Sequence, residues 1–299
     1  MRSFFFCLAI VYSSTLCAQI EKPKTVANYD LKGNVKSLSE TYYDATEKFG
    51  VPVKERVSFK GAYAFNKSGF LTESVLQSLV RSKWKETAKL KYDRNNNLIE
   101  ERLDDEGDIS IARIKYNRDG TMSEINTTDK KGRLTSKHIF SYDTSEAVEF
   151  LDWLFIFNER RIYNSDGTLK ELHKFNSIYY DVYDAKEKRL SSLTTLKDME
   201  GKLTYERSQT DIRTVVYEYK YNNLGQKIES TYQLDKRKPT STSYEYNEQG
   251  LLKKELSSDK IIEFTYTYDS RGNWITRTRK EKYNKTTSYE ITERAIKYY

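Results

Sequence analysis

The chain has 299 residues, a formal net charge of +7, 25 tyrosines, two cysteines and two histidines. Its 51 basic residues alternate with 44 acidic ones instead of forming one block, which favours a solvated surface of mixed charge and argues against a nucleic-acid partner. Both cysteines, Cys7 and Cys17, lie in the leader described next, so the rest of the chain offers no disulfide and no zinc–thiolate site.

Residues 1–18 are predicted to be a signal peptide. Arg2 precedes an apolar run from Phe4 to Tyr12, and small and polar residues follow up to Ala18. This order is typical of an export signal, and the apolar run is shorter than the roughly 20 residues that span a bilayer. We therefore predict cleavage between Ala18 and Gln19, export to the periplasm or the cell exterior, and a single mature domain of residues 19–299 that does not span a membrane.

One short motif, Asp or Asn followed three residues later by Gly, recurs along the mature chain. It accounts for ten of the 12 glycines. At the first position of a type I turn, Asp or Asn accepts backbone hydrogen bonds, and Gly at the fourth position takes positive φ and closes a hairpin. The predicted structural turn residues are Asn117, Gly120, Asn164, Gly167, Asn222, Gly225, Asn247, Gly250, Asp269 and Gly272.

The residues that flank these turns alternate between apolar and polar, which is the pattern of β-strands. Late turn glycines are 24, 25 and 22 residues apart, so each period holds two strands. We predict an all-β fold, an antiparallel meander of hairpins that forms a curved or coiled sheet. Tyr244, Tyr246, Tyr266 and Tyr268 are expected to pack as a buried ladder with Leu252 and Trp274, and the alternative is an exposed ligand-binding face.

The repeat is interrupted where the turns skip from Gly132 to Gly167. The stretch "DTSEAVEFLDWLFIF" lies in this gap, and Asp143 and Glu146 could form a capping box at the start of a helix. We predict an insertion at about 143–160, with residues 144–156 forming either a short helix or a pair of apolar strands.

Few residues are candidates for chemistry. His138 and His173 both lie among alternating strand residues and are interpreted as ordinary strand residues. The carboxylates of Asp104, Asp105, Glu106 and Asp108 surround a turn glycine, which solvated turn chemistry explains. Neither a Gly-x-Ser-x-Gly elbow nor a phosphate-binding glycine loop is found. We predict no catalytic residue, no metal and no cofactor.

The stretches "YEYNEQGLL", "YTYDSRGNW", "IYNSDGTL" and "YKYNNLG" resemble the tyrosine–aspartate (YD) repeats of the Rhs family, especially short secreted Rhs-like proteins of the Bacteroidetes. The resemblance covers most of the mature chain and is best from Tyr217 to Arg279. It implies a shell built of strands, and a carbohydrate-binding role is attributed to the class. The chain is expected to be too short to close a cocoon, and it lacks the Asp-Pro core of the family's self-cleavage site, so encapsulation is not expected.

These observations lead to three hypotheses about function. The first is a secreted, non-enzymatic β-repeat protein that acts as an interaction or binding surface in the cell envelope, with a glycan or an envelope protein as partner. The second is a carbohydrate-binding module. The third is a hydrolase with a site in the 140–165 insertion. The ligand and the oligomeric state are left open.

Overall fold

The computed structural model describes residues 24–80, 83–142, 158–175, 179–198 and 200–299. The predicted signal peptide and the segment 144–156, for which a helix or a strand pair was expected, lie outside these residues. Among the described residues, no helix is long and apolar enough to cross a membrane.

The described residues form one short 3₁₀ helix, Val26–Tyr29, and twenty β-strands. The strands are β1 (Val35–Lys48), β2 (Val51–Phe65), β3 (Leu71–Ser78), β4 (Trp84–Tyr92), β5 (Leu98–Asp105), β6 (Asp108–Tyr116), β7 (Met122–Asp129), β8 (Leu134–Ser141), β9 (Glu159–Asn164), β10 (Leu169–Phe175), β11 (Tyr179–Asp184), β12 (Arg189–Lys197), β13 (Leu203–Thr210), β14 (Thr214–Tyr221), β15 (Lys227–Leu234), β16 (Thr240–Tyr246), β17 (Leu252–Ser257), β18 (Lys260–Tyr268), β19 (Trp274–Tyr283) and β20 (Thr286–Tyr298).

Each strand pairs antiparallel with the next along the chain, and β20 also pairs with β1 from Val35↔Tyr298 to Ala45↔Tyr289. The predicted antiparallel meander is confirmed. The predicted curved or coiled sheet is wrong, because the sheet closes on itself into a ring of twenty strands. The expectation that the chain is too short to close a cocoon around a passenger stays a prediction. Twist accumulates along a long meander, and closure gives both edge strands backbone partners.

The sheet has an inner face and an outer face, which differ in exposure. Cross-strand partners share a face, so one face can be followed round the ring, for example through Tyr266, Arg277, Thr292 and Tyr42. This face carries the tyrosines that precede the turns and is the less exposed one, and we call it the inner face. The outer face carries exposed ion pairs, such as Lys115 with Glu124 at 2.7 Å.

Packing on the inner face is uneven. Among the described residues, two hydrophobic clusters lie there, centred on Leu98 and Met122 and on Val35 and Leu38, whereas a third, centred on Ile291, lies on the other face of β1 and β20. Every described residue that is buried belongs to β1–β10, to β18–β20, to the turn between β18 and β19 or to the segment before β1, and no described residue between positions 174 and 261 is buried. We call β1–β10 with β18–β20 the packed region, and β11–β17 the open region.

The turns alternate between the two ends of the ring. The end that carries the segment before β1 is called the N-terminal end, and there Thr25 forms a bridge with Phe70 beside the turn that follows β2. The opposite end carries the turn between β1 and β2, and we call it the hairpin end.

Candidate functional site

The predicted turn residues lie in tight hairpin turns. The turn glycines Gly120, Gly167, Gly225, Gly250 and Gly272 have φ angles of 86°, 82°, 76°, 81° and 76°. In one copy the N–H of Gly250 donates to the Asn247 carbonyl at 3.0 Å, and Asn247 Oδ1 accepts from the N–H of Leu251 at 2.9 Å. One side-chain oxygen of Asn247 and of Asp269 is used by the turn itself, while Asn247 Nδ2 donates to the Tyr268 hydroxyl and Asp269 Oδ2 accepts from the Tyr298 hydroxyl.

The tyrosine that ends a strand before a turn makes a recurring hydrogen bond. Its hydroxyl donates to the carbonyl of the first residue of the preceding strand, as in Tyr116 to Leu98 (2.8 Å) and Tyr246 to Lys227 (2.8 Å). The same bond joins Tyr92 to Leu71, Tyr142 to Met122 and Tyr221 to Leu203. It satisfies a main-chain acceptor next to the register shift at each turn. This bond explains why tyrosine recurs immediately before Asp or Asn in the sequence.

The tyrosine ladder expected from the sequence is divided between the two regions. In the packed region, Tyr266 lies edge-to-face with Trp274 at 6.1 Å, and Trp274 is only 3% exposed. Burial raises the pKa of Tyr266 to about 12. Tyr244 and Tyr246 lie in the open region and are half-buried. The ladder is therefore a core element at one end and a half-exposed surface at the other.

The inner face of the open region carries a group of neighbouring aromatic rings, which we call the tyrosine platform: Tyr217, Tyr219, Tyr232 and Tyr244. Tyr217 and Tyr219 are stacked, with ring centroids 6.1 Å apart and an interplanar angle of 6°. Tyr232 lies 5.3 Å from Tyr217 and is 37% exposed. The amino group of Lys227 lies 5.5 Å from the ring centroid of Tyr219 and 4.6 Å from that of Tyr244.

Polar groups lie beside this platform. Glu206 is the cross-strand partner of Tyr217, and burial raises the pKa of its carboxyl group. Burial, followed by the charge of Glu206, also raises the pKa of Tyr219. Ser230 Oγ and the Tyr244 hydroxyl are 2.9 Å apart. Aromatic faces next to a carboxylate, an ammonium group and hydroxyls can both stack on a ligand and hydrogen-bond to it.

The two histidines lie on the inner face of the packed region, in β8 and β10, with β9 between them. His138 is 1% exposed and His173 is 4% exposed, and Arg160 is the cross-strand partner of His173. Burial, followed by the positive charges of Arg160 and His173, lowers the pKa of His138 to about 3. Burial also lowers the pKa of His173. Both imidazoles are therefore neutral at physiological pH.

His173 joins a carboxylate to a hydroxyl. Its Nε2 lies 2.9 Å from Glu171 Oε2, and its Nδ1 is hydrogen-bonded to the Tyr180 hydroxyl. A carboxylate, an imidazole and a hydroxyl in this order can act as a general base, but the His173 side chain is shielded from solvent. The arrangement therefore orders the core between β10 and β11. Sequence reasoning placed both histidines in strands but missed their proximity, since 35 positions separate them.

Residues that follow the last Asp-x-x-Gly turn, Asp269–Gly272, form contacts across the closure of the ring. Asn273 is fully buried, and its Oδ1 accepts from the N–H of Lys32 at 2.6 Å while its Nδ2 donates to the Tyr298 hydroxyl at 2.7 Å. One side chain therefore holds the segment before β1 against the last strand. The sequence contains a signal for this, because the stretch "GNW" departs from the other copies of the repeat, but no role was inferred from it.

A buried ion pair lies next to this amide. Arg294 Nε donates to Glu40 Oε1 at 2.9 Å, and both side chains are 5% exposed. The Arg294 guanidinium also lies 3.3 Å from the ring centroid of Trp274 and donates to the Tyr29 carbonyl at 3.0 Å. These contacts join β1, β19 and β20 with the 3₁₀ helix, and sequence reasoning missed them.

The carboxylates near Gly107 form a turn. Asp104 Oδ1 accepts the N–H of Gly107 at 2.9 Å. No group of three or more His, Cys, Asp or Glu residues that could hold a metal ion occurs among the residues described.

A closed antiparallel sheet with tyrosine–aspartate turns defines a YD-repeat shell protein. The family model described as teneurin YD-shell matches residues 130–293, more than half of the chain. The chain belongs to this family. The resemblance to YD repeats is thereby confirmed, whereas secretion and a bacterial group remain predictions.

Two solved structures are reported as similar to this chain at low identity. A porin-like protein from Bacteroides uniformis is 13% identical, with 88% of this chain and 98% of that chain aligned and a TM-score of 0.40. The TcdB2–TccC3–Cdc42 structure is also 13% identical, with 85% of this chain aligned to 15% of that chain and a TM-score of 0.35. No curated protein matches the sequence.

Proposed function

We propose that this YD-shell protein is an exported, non-enzymatic binding protein of the cell envelope, and that the tyrosine platform contacts its partner. The observation that carries the proposal is the absence of any buried residue among the described positions 174–261, although tyrosines line the inner face there. Aromatic surface left half-exposed in a closed sheet is a typical feature of an interaction site.

Hydrogen bonds hold the strands that carry the platform, which favours binding. The Tyr221 hydroxyl donates to the Leu203 carbonyl at 2.7 Å, and that of Tyr246 to the Lys227 carbonyl at 2.8 Å. These bonds anchor the ends of β14 and β16, which carry Tyr217, Tyr219 and Tyr244. A surface that is ordered before a ligand binds loses less conformational entropy on binding.

A glycan is the second candidate, and one observation favours it. The rings of Tyr217 and Tyr219 are stacked with an interplanar angle of 6°, and the 37% exposed ring of Tyr232 lies 5.3 Å from Tyr217, so the group offers partly exposed aromatic surface. Sugar rings stack on such a surface, and Glu206, Lys227 and Ser230 are positioned to bond their hydroxyl groups.

The hydrolase hypothesis receives less support. Its site was expected at 140–165, and residues 143–157 lie outside the described part of the chain. The imidazole closest to this segment, His138, is shielded in the core. The purified protein can be tested against a panel of hydrolase substrates, and turnover of any one of them would support this hypothesis.

A double variant tests the platform. Tyr217→Ala with Tyr232→Ala should abolish binding of glycans that the wild-type protein retains on a glycan array, with only a small change in the melting temperature. The matched control is Thr265→Ala on the exposed outer face, which should keep full binding. If the wild type retained no glycan, the carbohydrate candidate would be rejected.

A protein partner requires a second measurement. A photo-crosslinking residue in place of Tyr232 should capture a defined envelope component in cells, while the same residue in place of Thr265 should not. Equal capture from both positions, or from neither, would reject the platform as the binding surface.

Export has its own test. The mature protein is expected outside the cytoplasm with Gln19 as its first residue. Intact-mass measurement on native material checks this, and retention of residues 1–18 would contradict it.

A further inference from the structure

The hairpin between β1 and β2 extends beyond the ring. Pairing of β1 with β20 stops at Ala45↔Tyr289, and pairing of β2 with β3 begins only at Phe59↔Ser78. Residues 46–48 therefore pair only with residues 51–53. At about 3.3 Å per residue, the tip projects roughly 10 Å past the last three-stranded pairing.

The tip is apolar and exposed. Phe49 is 106% exposed, Val51 is 61% exposed and Val53 is 38% exposed. A fully exposed phenylalanine beside two exposed valines gives this tip no packing partner among the described residues, so the fold itself does not use these side chains.

The backbone of Phe49 is strained as well. Among the described residues, seven residues other than glycine have positive φ. Six of them are Asp, Asn or Glu, and the seventh is Phe49, with φ 53°. Asn284, in the neighbouring turn between β19 and β20, has φ 52° and shows that a polar residue suits this geometry. Positive φ is rare and unfavourable for a bulky side chain, and such strain is concentrated at functional positions.

The turns beside this tip are basic. From the β13–β14 turn to the β1–β2 turn, the turns of the hairpin end, together with Glu47 and Lys48, expose six cations and the acidic residues Glu47, Asp211, Asp235 and Asp259. The cations are Lys48, Arg213, Lys236, Arg237, Lys238 and Lys285. Asp211 is engaged by Lys188 at 3.1 Å, and Asp235 Oδ1 accepts the N–H of Thr214 at 2.8 Å.

A second apolar side chain, Ile212, lies on the same arc and is 90% exposed. The N-terminal end of the same strands is different, because its turns after β14, β16 and β18 carry two acidic residues, Glu248 and Asp269, against one cation, Arg271. Exposed apolar tips and excess cations therefore coincide at one end of the molecule.

We propose that this arc, which we call the docking rim (Phe49, Val51, Ile212 and the six cations), binds the surface of an anionic lipid bilayer. Phe49 and Ile212 enter the boundary between headgroups and acyl chains, and the lysines and arginines contact the anionic headgroups. Apolar anchors flanked by cations are the arrangement that binds such a surface, and neither group alone gives stable attachment. The rim is separate from the tyrosine platform, so the two proposals stand independently.

Vesicle binding tests the rim. The purified chain and its variants, all with the same N terminus, are sedimented with vesicles of phosphatidylcholine alone or mixed with phosphatidylglycerol. The wild type should bind the anionic vesicles and not the neutral ones. Phe49→Asn should weaken binding about 10-fold, because it removes one buried aromatic side chain from the lipid contact. Its matched control is Leu224→Asn, an 83% exposed residue at the N-terminal end, which should bind as the wild type does.

Charge and depth are measured separately. Combined Lys236→Gln, Arg237→Gln and Lys238→Gln should weaken binding to anionic vesicles about 10-fold or more, and added salt should remove the difference between the two vesicle types. Phe49→Trp should show quenching of its emission by brominated lipid, whereas Leu224→Trp should not.

Several outcomes would overturn the inference. One is an absence of wild-type binding to anionic vesicles, which would assign the apolar tip to a protein contact. Another is equal binding of the wild type to anionic and neutral vesicles. The third is an equal loss of vesicle binding in Phe49→Asn and Leu224→Asn. A Phe49→Asn chain should melt at or above the wild-type temperature, since Asn relieves the strain. A large drop in its melting temperature would show that the fold itself needs Phe49 and would equally overturn the proposal.

Discussion

The packed and open regions use the same turns and the same tyrosine bond, yet only one of them has a core. Tyr116 in the packed region and Tyr246 in the open region each donate to a main-chain carbonyl at 2.8 Å. The residue two positions before that tyrosine differs: Ile114 is buried in the packed region, whereas Tyr219 and Tyr244 in the open region are not. Leucine begins the partner strand in both regions, but Leu98 is buried and Leu203 is not.

The comparison separates two determinants of this fold, backbone pairing and the burial of side chains. The turns and the backbone ladder build strands and close the ring whether or not the inner face packs. Burial of apolar side chains then decides where the ring is stabilised and where it stays accessible. Stability is expected to come from the packed region, and binding surfaces are expected in the open region.

The largest effect is expected from Trp274→Ala. This substitution removes a ring that is 3% exposed and that contacts both Tyr266 and Arg294, so unfolding free energy should fall by about 3–5 kcal/mol. Tyr232→Ala, at a ring that is 37% exposed in the open region, should cost about 1 kcal/mol or less. Chemical denaturation measures both, and equal losses would break the distinction between the regions.

The buried ion pair should come next. Glu40→Gln leaves the Arg294 guanidinium buried against a neutral amide, which should cost about 3 kcal/mol of unfolding free energy. The matched variant is Lys220→Gln in the open region, whose partner Glu229 lies 3.1 Å away with both side chains well exposed. That change should cost about 0.5 kcal/mol or less, because solvent screens exposed pairs. A Glu40→Gln chain as stable as the wild type would contradict the role of this pair in closure.

The buried histidine predicts a pH dependence. The folded-state pKa of His138 is lowered to about 3, below the unfolded value of 6.5, so the unfolded chain takes up the proton first as the pH falls. The contribution of His138 is therefore fully present above pH 6.5, and roughly 2 kcal/mol of unfolding free energy should be lost between about pH 6.5 and pH 4.5. His138→Gln should flatten this slope in denaturation curves recorded at several pH values. An unchanged slope would mean that the imidazole is not shielded.

The shared hydrogen bond allows a direct comparison of the two regions. Tyr116→Phe leaves the Leu98 carbonyl without its donor in a packed environment, where burial raises the pKa of Tyr116 to about 12. The expected loss of unfolding free energy is about 1–2 kcal/mol. Tyr246→Phe removes the same bond where water can replace the hydroxyl, so about 0.5 kcal/mol is expected. A larger loss at Tyr246 would reverse the assignment of the open region.

The smallest difference is expected at the turns, because their strain is local. Gly120→Val in the packed region and Gly250→Val in the open region should each lose about 1 kcal/mol or more, since both glycines have φ above 80°. The Asn variants should be milder, as Asn96 occupies the same place in its own turn with φ 63°. Thermal melts check this, and a much larger loss at Gly120 would show that turn strain is coupled to the core.

Much of the fold follows from short-range rules that the sequence displays. Strand β18 ends at Tyr268, directly before Asp269, and β19 begins at Trp274, as the turn motif predicts. Such boundaries are predictable because an Asp or Asn that binds nearby N–H groups and a glycine at positive φ act within five residues. The alternation of side chains between faces is local in the same sense.

Only the tertiary structure decided three features of this protein. They are the closed ring, the buried pair of Glu40 and Arg294, and the placement of His138 and His173 on one face of the sheet. Each depends on pairing between distant strands, as in the contact of Ala45 with Tyr289, and no local pattern records which strands will meet. Apart from the stretch "GNW", whose role only the contacts of Asn273 reveal, the repeat contains no signal for closure, so an open sheet and a closed one read alike in the sequence. Closure is set by the summed twist of twenty strands and by the backbone partners that the two edge strands gain from each other.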